Sequence, residues 1–215
     1  TGPNSSTLLT PTSLTLGGAT TIVVGSCPQV VGLYPLFSGY TAGTLTLGSQ
    51  PAGVLGKLTV SGGTVYYQVT NFVTALWTAA VNTNWDTVTA NWTNTIGGNK
   101  YVAGYPVLFD DTAVGTSPLL VNITNAVAPN SFTVNNTSKA YVIGGQAIGG
   151  TTGITKTGNN TLTLTGTNTF TGDIAVSAGA LEIGGAGQLG GGTYAGAIQN
   201  DGALKVNSTS VQTLA

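Results

Sequence analysis

Two sets of residues in this 215-residue chain have types and spacing that could do chemistry: the adjacent carboxylates Asp110-Asp111, and the tryptophans Trp77, Trp85 and Trp92. Paired acids suit cleavage of glycosidic bonds, one as acid and one as base or nucleophile. Neighbours on a strand point to opposite faces, however, so the pair shares a site only where a strand ends. For parallel β-helix enzymes that cut acidic polysaccharides, the chemistry also calls for Arg or His, and the chain contains neither. A turn or capping role is the plainer reading of both carboxylates. Asn/Asp/Thr loops offer the hard oxygens that Ca²⁺ takes, yet no EF-hand loop or Gly-Gly-x-Gly-x-Asp repeat is present, so no metal or cofactor site is expected.

The missing residue types exclude more. With no His, the commonest general base, the Ser/His and Cys/His nucleophile pairs and His-based zinc sites all disappear. Cys27 is alone, so it forms neither an intrachain disulfide nor a thiolate cluster. Gly184-Gly-Ala-Gly and Gly190-Gly-Gly lack the Gly-Lys-Ser/Thr ending and following helix of a phosphate cradle; glycine at tight corners accounts for them. These counts point away from an enzyme.

Exposed Trp and Tyr stack on sugar rings, so Trp77, Trp85 and Trp92 together with Tyr66 and Tyr67 could form a carbohydrate platform. Large aromatics are more often core or cap. The competing reading is that the indoles cover an end or a flank of the fold, with Asp86 bonding nearby backbone or an indole N–H.

Composition sets the class. Charged residues make up 5% of the chain, apolar residues 41%, and the net charge is −1. That is far below the usual quarter or so of charged residues, and the five scattered Lys give no footprint for nucleic acid. The apolar fraction is high enough to fold. Low charge suits stacked parallel strands, where equivalent positions recur about 4.8 Å apart and like charges would repel. Thr, Ser and Asn can instead form hydrogen-bonded ladders. No apolar run approaches the ~18 residues of a membrane span. The absence of an initial Met suggests a processed or excised segment.

The elements that would position these residues are short strands. Thr1 to Pro11 has two prolines and no period, and reads as an arm or linker. Leu14/Leu16 and Ile22/Val24 alternate around Gly17-Gly18, and Val30 to Phe37 reads as a buried strand interrupted at Pro35. Lys57-Leu-Thr-Val and Thr64-Val-Tyr-Tyr-Gln-Val flank Ser61-Gly62-Gly63, a hairpin turn. Between Phe72 and Gly104 the Trp spacing hints at heptads, but Thr, Asn, Val and Gly are poor helix formers, so strands and loops are expected. From Val107 onward short strands recur to Ala203-Leu-Lys-Val.

Gly153 to Gly184 is the most informative stretch: Leu162/Leu164, Ile174/Val176 and Leu181/Ile183 are strands too short to form a sheet alone, so each needs a neighbour stacked on it. Gly-Ile-Thr-Lys-Thr-Gly-x-x-Thr-Leu-Thr-Leu-x-Gly-x-Asn-Thr-Phe-Thr-Gly, followed by an apolar strand and a Gly-x-Leu strand, resembles the autotransporter-associated β-strand repeat of large bacterial secreted and surface proteins. The Trp-rich run and Val107 to Ala113 resemble segments that accompany it. The resemblance implies a right-handed parallel β-helix with a passenger or scaffold role, and no reaction.

The expected fold is therefore all-β, a right-handed parallel β-helix (β-solenoid) with antiparallel hairpin elements in the N-terminal half. It would comprise an arm at 1–16, an N-terminal β region at 17–105 and solenoid repeats at 106–215. At roughly 20 residues per coil there would be about ten coils, with both ends unsealed. The function expected is structural and extracellular, on the bacterial surface: a unit of a fibre, or a section of a long passenger. Its partners would be other copies of itself, head to tail, or adjoining repeats. Assembly would run through Leu8, Leu9, Leu14 and Leu16 of an inserting arm and Leu204 and Val206 of the open end. A glycan-binding adhesin using the tryptophans is the alternative.

Overall fold

Thr, Val, Leu and Ile alternate over three to nine residues between Gly- and Asn-rich corners, and these runs form almost all the regular structure. In a computed structural model of the chain, residues 14–25, 27 and 30–215 are described. Leu8 and Leu9 lie outside them, as does the side chain of Leu14. The single helical element among the described residues is a 3₁₀ turn, Gly190–Gly192. No helix among the described residues is long and apolar enough to cross a membrane. The chain divides into two compact units between Val73 and Thr74.

In the first unit β1 (Leu14–Ile22) pairs in parallel with β3 (Tyr40–Leu47), Ile22 beside Leu47. Strands β2 (Gly32–Phe37), β5 (Thr64–Phe72) and β4 (Val54–Ser61) form an antiparallel sheet with β5 in the middle. The expected hairpin is present: Ser61 faces Thr64 across Gly62 and Gly63, whose φ angles of 55° and 70° are those of a primed turn. Pro35 lies within β2, an edge strand that tolerates it, and the pairing with β5 shifts register between Pro35 and Phe37. Val30 and Val31 lie before it and are exposed rather than buried. The core is Val24, Tyr34, Val54, Tyr67 and Val69. Gly56 makes it possible, since a Cβ there would sit 2.4 Å from the Tyr67 ring that crosses β4.

The second unit is a parallel β-solenoid. Its strands come in pairs, one pair per coil: β6 (Ala75–Trp77) with β7 (Asn84–Trp85), then, after β8 (Trp92–Thr93), β9 (Val107–Asp110) with β10 (Leu119–Ile123). There follow β11 (Phe132–Asn135) with β12 (Tyr141–Gly145), β13 (Ile154–Thr157) with β14 (Thr161–Leu164), and β15 (Ile174–Val176) with β16 (Ala180–Ile183). After β17 (Thr193–Tyr194), the last pair is β18 (Ile198–Asn200) with β19 (Ala203–Val206), and β20 (Thr213–Leu214) lies beside β17. One sheet holds β7, β10, β12, β14, β16 and β19 in that order; the other runs β8, β6, β9, β11, β13, β15, β18. These pairs make six coils, and over the described residues the stacked parallel strands form a β-solenoid of about 9 turns, close to the ten expected. The coil that carries Ala75 round to Val107 through the Trp segment is longer than the others.

Alternation places one face of every strand inside. Phe132, Ile154, Ile174 and Ile198 form one inward column, and Tyr141, Leu162, Leu181 and Leu204 another. Each inward aliphatic residue contributes about 1.5–3 kcal/mol on full burial. Outward positions are mixed, with Thr recurring, as at Thr133 beside Thr155.

Candidate functional site

For a chain built by stacking, the groups that matter are those that join coil to coil and those at the two ends. Asp110 and Asp111 are joints. Asp110 closes its own turn, its Oδ1 accepting from the N–H and hydroxyl of Thr112. Asp111 reaches the next coil and accepts from the N–H groups of Thr137, Ser138 and Lys139 at 2.9–3.1 Å. Burial pushes its carboxyl up, but those three donors and the Lys139 charge prevail and hold it below the usual carboxylate range. Each carboxylate is thus committed to backbone capping, and the two do not converge on a shared site.

Lys156 is a second joint, and alternation alone should have exposed it: it follows Ile154 by two residues and therefore points inward. Its side chain is 0% exposed, stacked between Val134 and Val176. Its Nζ donates to the carbonyls of Thr157 (2.8 Å) and Gly158 (2.7 Å) in its own corner and of Ala178 (3.3 Å) in the next. Burial lowers its pKa to about 8, opposed by the charge of Asp111. Gly158, at φ 75°, lies so close to the Asn136 backbone of the preceding coil that no Cβ fits.

Buried amides add further joints. Asn168 accepts from Ile148 N–H of the preceding coil and donates to Gly166 O. Asn136 donates to Lys139 O and to Thr161 O of the following coil. In the repeat-like stretch Thr167, Thr169 and Thr171 face out while Asn168 and Phe170 face in, the side choice that a period of two dictates.

The tryptophans are core. Trp77 and Trp85 are 0% and Trp92 is 2% exposed, so none presents a ring face to a ligand, and the carbohydrate platform on these residues is corrected. They pack with one another and with Tyr101, Phe109 and Phe132 at centroid distances of 5.1–6.0 Å, mostly edge to face, and Tyr141 packs on Phe109. The indole N–H groups meet no oxygen or nitrogen acceptor. Asp86 bonds backbone, as expected, accepting from Val88 and Thr89 N–H and from the Thr89 hydroxyl. Asn91 ties the same segment together through Val81, Asn82 and Asn84.

The two ends of the solenoid differ. At the first, β8 turns back and pairs antiparallel with β6, Trp92 opposite Trp77, over the aromatic cluster. That edge of one sheet is covered by the chain itself, while β7 ends the other sheet with no further strand beside it among the described residues. At the other, the inward columns emerge into solvent. Ile183 is 0% exposed, while its register partner Val206 is 49% exposed. Leu181 is fully buried and Leu204 half-buried. Leu16, the other described assembly candidate, is half-buried on β1 in the first unit.

Residues 154–183 match the Passenger-associated-transport-repeat family, the segment from β13 through β16 that carries Lys156, Asn168 and the Leu162/Leu181 stack. Comparison with curated proteins and with solved structures returned no match.

Proposed function

We propose that this chain is a non-catalytic structural section of a passenger-type β-solenoid displayed outside a bacterial cell, and that the face formed by Leu204, Val206, Ile198 and Leu214 receives a further parallel coil. The observation that carries the reading is the loss of burial along one inward column, from Ile183 to Val206. In the interior of the solenoid such positions are sealed, and a half-exposed Val at an inward position leaves favourable burial unused. A repeat protein uses such a face as the interface to its next repeat. The match of residues 154–183 to a passenger-associated repeat supports the extracellular setting. The commitment of Asp110 and Asp111 to capping, in a chain without His, supports a role without catalysis.

The covering coil can come from adjoining repeats or from another copy. The Trp-sealed end argues against a simple head-to-tail stack of solenoid on solenoid, because β8 occupies the edge that the neighbour would need. An end face of four to six side chains offers roughly 10 kcal/mol by area, against about 4–15 kcal/mol lost on association. Fibre formation therefore calls for an inserted strand; Leu14 and Leu16 are engaged in β1, so the donor would be the segment that precedes it.

Sedimentation of the chain over a wide concentration range tests the reading, alongside Val206→Asp. Concentration-dependent association that Val206→Asp abolishes, with an unchanged circular dichroism spectrum, is the expected result. A chain that stays monomeric at high concentration and does not bind an apolar dye would remove the stacking face.

A further inference from the structure

The first unit also holds a parallel pair, β1 with β3, and beside it in the chain an antiparallel sheet in which β5 lies between β2 and β4. Ile22 lies beside Leu47 on β1 and β3, the separation at which Val107 lies beside Phe132 in the second unit. The next strands of those two turns, β2 and β4, are both antiparallel to β5 and so parallel to each other. Tyr34 and Leu58 flank Tyr67 from either side. A regular coil would lay β2 directly on β4, and β5 occupies that place. It is an insertion into a coil, and insertions into repeat folds are where recognition surfaces commonly sit.

The chemistry of the inserted strand divides cleanly between its faces. Val65, Tyr67 and Val69 are buried in the unit's core. Tyr66 and Gln68 point the other way and line up with the neighbouring strands. Pro35, Tyr66 and Thr59 form one row; Leu33, Gln68 and Lys57 form the next. The first row is a flat strip around a half-buried phenol ring. The second presents an amide and an ammonium beside a Leu33 that is 44% exposed. Rows two residues apart along a strand are about 7 Å apart, so a ring stacked on Tyr66 brings its substituents to the second row. Lys57 is the only charged residue among positions 1–73, and no carboxylate of its own unit can neutralise it.

We propose that the outer face of the β2–β5–β4 sheet binds a saccharide containing uronic acid, with a pyranose ring on Tyr66 and its carboxylate on Lys57 and Gln68. A pyranose has an apolar C–H face and a polar rim, which match the two rows. A charge on an edge strand also discourages strand addition. That role accounts for Lys57 alone and requires nothing of Tyr66 or Gln68.

Calorimetric titration of the full chain with oligogalacturonate, and with its methyl ester as the uncharged counterpart, tests the assignment. The chain should bind the acid more tightly than the ester. Tyr66→Ala should weaken both about tenfold, the order of one aromatic contact, while Tyr66→Phe, which keeps the ring, should stay within about threefold. Lys57→Gln should weaken the acid and leave the ester unchanged. Absence of saturable binding by the unaltered chain, or full affinity in a Tyr66→Ala variant with unchanged circular dichroism, overturns the proposal. Equal effects of Lys57→Gln on acid and ester overturn it too.

Discussion

The Lys156 ammonium donates to the Ala178 carbonyl of the following coil at 3.3 Å, from an inward position flanked by Val134 and Val176 on the adjoining coils. A buried cation held by backbone oxygens specifies one register, since sliding it to the Val134 or Val176 position would strip it of this cage. Its stabilising value is a separate matter, because desolvation of a buried charge can exceed what its bonds return.

The pH dependence follows from its direction of shift. The folded pKa, about 8, lies below the ordinary 10.5, so between those values the unfolded chain holds more protons. Stability should therefore rise with pH from about 8. Tyr101 and Tyr194 have pKa values raised by burial to about 12, so above pH 10 the folded chain holds more protons and stability should fall. Denaturant melts from pH 7 to 11 should show a maximum near 10. In Lys156→Met the rise should vanish and the fall persist; a rise that survives would show that another group causes it.

Asp111→Ala should destabilise the solenoid by about 1 kcal/mol, the usual cost of a lost backbone cap, toward the lower end because Thr137 and Ser138 are exposed and water replaces the carboxylate. The effect should fade in acid. The folded pKa of Asp111 is depressed, so its contribution is full above the ordinary 3.8 and is lost as pH falls below it. Asp110→Ala, which removes only a local turn bond, should cost less. Parallel urea melts at pH 7 and pH 3 check both, and an undiminished difference at pH 3 would count against the cap.

All three tryptophans of the chain lie in the one aromatic cluster, so intrinsic fluorescence reports on the sealed end of the solenoid. Emission should be that of buried indole, with little quenching by acrylamide. Trp92→Ala should cost about 3–5 kcal/mol, as for other buried aromatics. Ready quenching in the folded chain would place the indoles at the surface and reopen them to ligands.

How far the fold was legible depended on whether period-two alternation met a neighbour of the same kind. From Ile154 to Ile183 each short strand pairs with one like it, so the pattern implied the stack directly. The hairpin at Gly62-Gly63 was equally plain, because turn chemistry is local. The place of β5 was not, since it enters between β2 and β4 through pairing that no local pattern encodes. Lys156 and Asn168 were readable in principle, as each shares the parity of an inward Ile or Phe; their polarity drew attention to the surface instead. The sealing of one end by β8 rests on two residues, Trp92 and Thr93, too few to carry a strand signal.

The inward column Leu164, Ile183, Val206 gives a graded test of the stacking face. Ile183 touches neighbours on both sides and is sealed, so Ile183→Ala should cost about 2–5 kcal/mol, the range for buried aliphatics. Val206 has a neighbour on one side only, so Val206→Ala should cost about 1 kcal/mol or less, in proportion to the smaller area removed from water. Where a further coil lies over β19, Val206 becomes an interior residue and its substitution should approach the cost of Ile183→Ala. Repeating the Val206→Ala melt in a chain extended by a second copy of residues 154–206 measures that change. An unchanged cost would mean that β19 does not accept a coil, and that the exposure of Val206 belongs to a finished end.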